Sequence, residues 1–222
     1  TYGEPDVQSR NLLRRSANVF EQAYIRFKDL KQAEQQAREA QIEAALERVR
    51  SRTKKKKKSE ELKEVIQVVN DQFVHLHINV QHAGFLMDYK ENVDMHIWLA
   101  DPHKVPFELK IPYFDSPHWN SFIEAKEKGL DFFANQLDYE EKNRFYNDLL
   151  KLFPVPDEAR EYYLTCPGLA ISTVLLDNIG LYIENFSGIP YTDEENTMLM
   201  RFGKVFEQAY IRFNDLKQAE TQ

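Results

Sequence analysis

Residues 7 to 53 contain neither proline nor glycine and are rich in Ala, Gln, Glu, Arg and Leu, all good helix formers. Apolar side chains recur there at helical spacing. Val19, Phe20, Ala23, Tyr24 and Phe27 make a broad face, followed by Leu30, then Ala33, Ala37 and Ala40, then Ile42, Ala45, Leu46 and Val49. A second helix is expected from Ser59, a plausible cap, through Leu62, Val65, Ile66, Val69 and Phe73. From Gly84 the period shortens to that of extended chain. Phe85–Tyr89 and Met95–Ala100 read as a hairpin around the polar turn Lys90–Asp94, and Phe107–Tyr113 alternates as a strand with one wet face. A helix from Ser116 to Lys128 carries proline in its first turn and stops at Gly129, and a short extended piece, Asp131–Ala134, leads to a helix over Tyr139–Leu152. Pro154 and Pro156 end that helix, and Asp157–Leu164 adds a further turn or two. Leu169–Leu176 and Ile179–Phe186 are strands about the tight turn Asp177-Asn178, and Thr192 caps a last helix whose first turn holds Asp193, Glu194 and Glu195.

The segment Val19–Phe27 returns unchanged as Val205–Phe213, and residues 18 to 34 match residues 204 to 220 at 15 of 17 positions. Both copies are expected to be helices in equivalent environments, and the chain is expected to be cut from a longer array of such units. An isolated helix cannot bury its own stripe. The expected partner is the same helix of a second subunit in a parallel coiled coil, with Phe20, Tyr24, Phe27, Leu30, Ile42, Val49, Phe206, Tyr210 and Phe213 at the dimer interface. The alternative is that the stripe packs on its own domain.

Charge divides the chain. Residues 1 to 58 hold 15 Lys+Arg against 8 Asp+Glu, which leaves 14 against 28 for the rest of a chain of net charge −7. An acidic domain argues against nucleic acid as partner of the globular part, since phosphate contacts need excess Lys and Arg. The run Lys54–Lys58 could hold an anionic lipid or nucleic acid, or simply be a solvated hinge. No stretch approaches the ~18 consecutive apolar residues of a membrane span. The single Cys166 excludes an intrachain disulfide, which fits a reducing cytoplasm.

The element order, with Phe186-Ser-Gly-Ile-Pro-Tyr-Thr-Asp-Glu-Glu195 running into an apolar helix, resembles the GAF domain family of small-molecule sensors. Asp115-Ser-Pro-His-Trp119 through Gly129-Leu-Asp-Phe-Phe133 is similar to the family's lid helix and following strand. With its flanking helices the chain resembles a repeat from bacterial multidomain signalling proteins of the sensor histidine kinase type. The resemblance implies an α+β fold, an antiparallel sheet between helices on one side and a ligand pocket on the other, with long terminal helices pairing as a parallel coiled coil. It divides the chain into a helical linker over 1–58, a sensor domain over 59–205 and an exit helix over 206–222. Cyclic-nucleotide binders of the family carry Asn-Lys, Phe and Asp-Glu near the final strand; here Phe186 follows Asn185, Tyr191 replaces the Phe and Glu195-Asn196 the acidic pair, so the lysine–carboxylate bond is missing. Bilin binders use a cysteine usually beside histidine, whereas Cys166 precedes Pro167.

No catalytic motif is present: the sequence lacks a Gly-rich phosphate loop, a Gly-x-Ser-x-Gly elbow and a His-Glu-x-x-His pair. His75, His77 and His82 read as surface or capping residues near a helix end, so neither a metal site nor a cofactor is expected. Strand alternation and the resemblance together nominate His96, Trp98, Tyr113, His118, Trp119, Phe133 and Thr173 as ligand-binding residues. The chain is therefore expected to be a non-enzymatic sensory module with an unidentified small ligand, relaying through dimeric helices to adjacent repeats and an output domain. The alternative is a ligand-free spacer and dimerisation module.

Overall fold

The computed structural model describes residues 6–54, 62–90, 93–101, 104–153 and 155–221. Ser59, Lys55–Lys58 and part of the Lys90–Asp94 turn therefore lie outside the described residues. The chain separates into two compact units, Thr1–Ala44 and Ala45–Gln222. The first is the amino-terminal part of helix α1 (Val7–Lys54), which starts at Asp6, whose Oδ1 accepts from the Ser9 amide at 2.7 Å.

The second unit is α+β. Its elements are the end of α1, α2 (Leu62–His75), β1 (His82–Met87), β2 (Met95–Asp101), β3 (Lys104–Ile111), α3 (Pro117–Glu127), β4 (Phe132–Leu137), α4 (Tyr139–Leu149), α5 (Asp157–Thr165), β5 (Leu169–Leu175), β6 (Ile179–Asn185) and α6 (Asp193–Thr221). The strands form one antiparallel sheet in the order β3-β2-β1-β6-β5-β4. The expected strands are present, with β1 beginning at His82 and β4 reaching Leu137.

Both faces of the sheet are covered, which is why β1 and β5 read as unbroken buried runs. On one face α2 and α6 bury Val65, Ile66, Val69, Leu199, Phe202 and Phe206, with Phe73 against Phe202 at 5.0 Å and Phe85 against Phe206 at 4.7 Å. Helix α2 ends with His77 in the left-handed region at φ 59, while the Ile78 amide reaches the Phe73 carbonyl at 3.1 Å. The end of α1 belongs here too: Ala45, Leu46 and Val49 are buried, Arg48 Nη1 donates to Gln72 Oε1 at 2.9 Å and Arg52 pairs with Glu64.

Within the single chain the residues expected at a dimer seam divide into two sets. Ile42, Val49, Phe206 and Tyr210 are buried in the single chain, whereas Phe20, Tyr24, Phe27 and Leu30 are exposed; Phe213 is half-buried and stacks on Tyr210. Within the single chain the two repeat copies thus differ in exposure.

Candidate functional site

On the other face, α3, α4 and α5 stand off the sheet around a cavity of about 340 Å³. Strand alternation decides which side chains enter it. His82 and Leu86 of β1, Met95, Ile97 and Leu99 of β2, Ile171 and Thr173 of β5 and Tyr182 and Glu184 of β6 line the floor. Gly84 makes this floor possible, because a Cβ there would lie 1.9 Å from the ring of Tyr182, its cross-strand partner, and only a bare backbone lets that ring lie down.

The walls follow from local signals. Ser116 caps α3 by accepting the Trp119 amide at 3.2 Å, and Pro117 occupies the first turn, which sets His118, Trp119 and Phe122 toward the sheet. A reciprocal cap between Asp138 and Glu141 starts α4, which contributes Phe145, Tyr146 and Leu149. Lys142 is buried on the same helix, its Nζ donating to the Tyr163 carbonyl at the end of α5 and lying 5.1 Å from the Tyr139 ring centre; desolvation lowers its pKa. The Tyr146 and Tyr163 rings then stack at 4.9 Å, and Phe186 closes the group at 5.7 and 5.4 Å from them.

Few polar groups converge here. Nδ1 of His82 lies 2.7 Å from Oε1 of Glu184, its register partner across β1 and β6, and both side chains are about nine-tenths buried. His118 accepts at Nδ1 from the Asn135 amide at 2.9 Å, and burial pushes its pKa down to about 4, so it is neutral at neutral pH with Nε2 carrying the proton. Burial also raises the Tyr182 and Tyr146 phenols well above 10 and Tyr163 to about 12, so all three stay neutral donors. The Trp119 indole N–H is buried and has no acceptor among the described residues. Among the described residues no group of three or more His, Cys, Asp or Glu is arranged to hold a metal ion, and no helix is long and apolar enough to cross a membrane.

Of the seven residues nominated from sequence, His118, Trp119, Phe133 and Thr173 line the cavity. His96 and Trp98 do not: they alternate with Met95, Ile97 and Leu99, and Trp98 pairs with Phe85, which points to the α2 and α6 side. Tyr113 follows β3, is exposed, and donates to Asn120 Oδ1 at 2.9 Å from outside. The His82–Glu184 pair was missed because His82 was assigned to the end of a helix; its signal was the alternation His82, Gly84, Leu86 continuing the strand backward.

The class this fold defines is an α+β domain with one antiparallel sheet, covered by helices on both faces and holding a cavity on one. No family model and no curated protein matches the chain. Among solved structures it is similar to the GAF domain from an Acinetobacter phosphoenolpyruvate-protein phosphotransferase, at 10% identity and a TM-score of 0.43, over 76% of this chain and 93% of that one.

Proposed function

We propose that this chain is a regulatory, non-catalytic module that binds a small molecule between the sheet and α3–α5 and passes its occupancy to α6. The observation that carries the reading is the cavity: a mostly apolar space with a few convergent polar groups is the usual form of a small-molecule site. The described residues lining it include Glu184 and neither lysine nor arginine, which favours a neutral or cationic ligand over an anion. A GAF-like sensor within a larger signalling protein is the setting that the sequence resemblance supplies for such a site.

A route to α6 supports the second half. Ser172 sits on β5 between cavity-facing Ile171 and Thr173, and its hydroxyl donates to Asn196 Oδ1 on α6 at 2.7 Å. Asn185 follows Glu184, and its amide holds the Ile189 carbonyl at 3.0 Å, fixing the turn before Thr192 and Glu195, which cap α6 reciprocally. A displaced floor strand therefore pulls on the helix start through two short hydrogen-bonded links.

The test is thermal unfolding of the chain with fractionated cell metabolites, beside the cavity-filling variant Ile171→Trp. A ligand at 100 times its Kd adds ~2.7 kcal/mol, or about 5–10 °C for a domain of this size, and the variant should lose that response. If no fraction stabilises the parent, and the variant melts higher than the parent, the space is a packing defect and the spacer reading replaces this one.

A further inference from the structure

The two repeat copies are the same surface in opposite conditions. Helix α1 begins at Val7 and α6 at Asp193, a separation of 186 residues and the offset of the sequence repeat itself. Their caps correspond as well: Asp6 accepts from the amide three residues on at 2.7 Å, and Thr192 does so at 3.2 Å. The equivalence therefore reaches back beyond the 17 near-identical positions to the helix start, through Leu12 and Leu13 opposite Met198 and Leu199.

In α6 the apolar positions of this face, Met198, Leu199, Val205, Phe206, Ala209 and Tyr210, are between 0 and 8% exposed beneath the sheet. In α1 their counterparts Leu12, Leu13, Val19, Phe20 and Tyr24 are between 64 and 76% exposed, and Ala23 is exposed too. A contiguous apolar face of this kind marks an interaction surface. Its twin shows what covers it: the helix-bearing face of an antiparallel sheet, with an aromatic such as Phe85 under Phe206.

Two positions say which sheet. Where α6 places Phe202 against Phe73 at 5.0 Å, α1 has Ser16; where α6 has Gly203, α1 has Ala17, whose Cβ at that site would approach Val174 to 3.2 Å. Laid on this chain's own sheet, α1 would leave a phenylalanine-sized void and crowd the neighbouring strand. The socket it fits has the same architecture with different residues at these two points. We propose that the α1 segment Val7–Tyr24 is the closing helix of a second, non-identical domain of this fold that precedes it in the same polypeptide, and that the sheet of that domain covers Leu12, Leu13, Val19, Phe20, Ala23 and Tyr24. One helix is then the end of one domain and the lead-in of the next.

The experiment is a tandem protein in which residues 1–192 are followed directly by residues 7–222, so that Val7 stands where Asp193 does. It carries Cys166→Ser in both copies, Ala23→Cys as reporter in the joining helix, and Ser16→Phe with Ala17→Gly there to match the available socket. The expected result is thiol labelling at least about 100-fold slower than Ala23→Cys in the 222-residue chain, comparable to Ala209→Cys in that chain. Restoring Ser16 and Ala17 in the joining helix should return part of the labelling. A joining-helix thiol that labels as fast as in the single chain, while the Ala209→Cys control of the carboxy-terminal copy stays protected, overturns the proposal. So does concentration-dependent protection of Ala23→Cys in the single chain with a dimeric mass, since a second copy would then be the occupant.

Discussion

The repeat supplies its own control for a stability measurement. Phe20 and Phe206 sit in nine-residue segments of identical sequence, so their intrinsic helix propensities and near neighbours along the chain are the same. Their surroundings differ: Phe206 is 0% exposed with its ring 4.7 Å from that of Phe85, and Phe20 is 76% exposed. Truncating a buried phenylalanine to alanine removes its transfer free energy and leaves a cavity, together ~3–5 kcal/mol. Phe206→Ala should therefore lower the midpoint of unfolding by about 6–20 °C for a domain of this size. Phe20→Ala should lie within about 0.5 kcal/mol of the parent, with alanine's better helix propensity on the stabilising side. The assays are thermal unfolding for the midpoint and denaturant unfolding at unchanged m-value for the free energy, both followed by the fluorescence of Trp98 and Trp119 in the sheet-bearing unit. Equal losses for the two variants would refute the burial contrast between the two copies, and with it the exposed apolar face of α1.

Three other outcomes are expected. Acid should weaken the domain through His118: its folded pKa of about 4 lies below the ordinary 6.5, so the unfolded chain binds the extra proton between those values. That contribution is fully present above pH 6.5 and falls away toward pH 4, by up to about 3 kcal/mol at ~1.4 kcal/mol per pH unit, and pH-dependent unfolding of His118→Phe should lack that component. Gly84→Ala should cost about 1–3 kcal/mol by driving the Tyr182 ring out of its place, and a crystal structure with that ring unmoved would contradict the account. Glu184→Ala should cost about 3 kcal/mol by leaving His82 buried without its partner, while His82→Leu with Glu184→Leu recovers most of the loss; a double-mutant cycle with no coupling would show the pair to be idle.

Local chemistry made most of the elements legible. The proline-free run from residue 7, the Asp177-Asn178 turn, Ser116-Pro117 before α3 and Thr192 before α6 each carry a backbone preference within a few residues, and each element appears where that preference puts it. Alternation also showed that β2 has two faces. It could not show which face meets the cavity, because both sides of this sheet are covered and apolar residues stand on each; that is why Ile97 lines the site and His96 and Trp98 do not. The His82–Glu184 pair joins residues 102 apart, a distance that no local pattern spans. The repeat states the limit most plainly. The sequence of Val19–Phe27 determines a helix with one apolar face, and it does so twice, whereas burial is decided by tertiary packing: Phe206 is buried under a sheet and Phe20 is exposed.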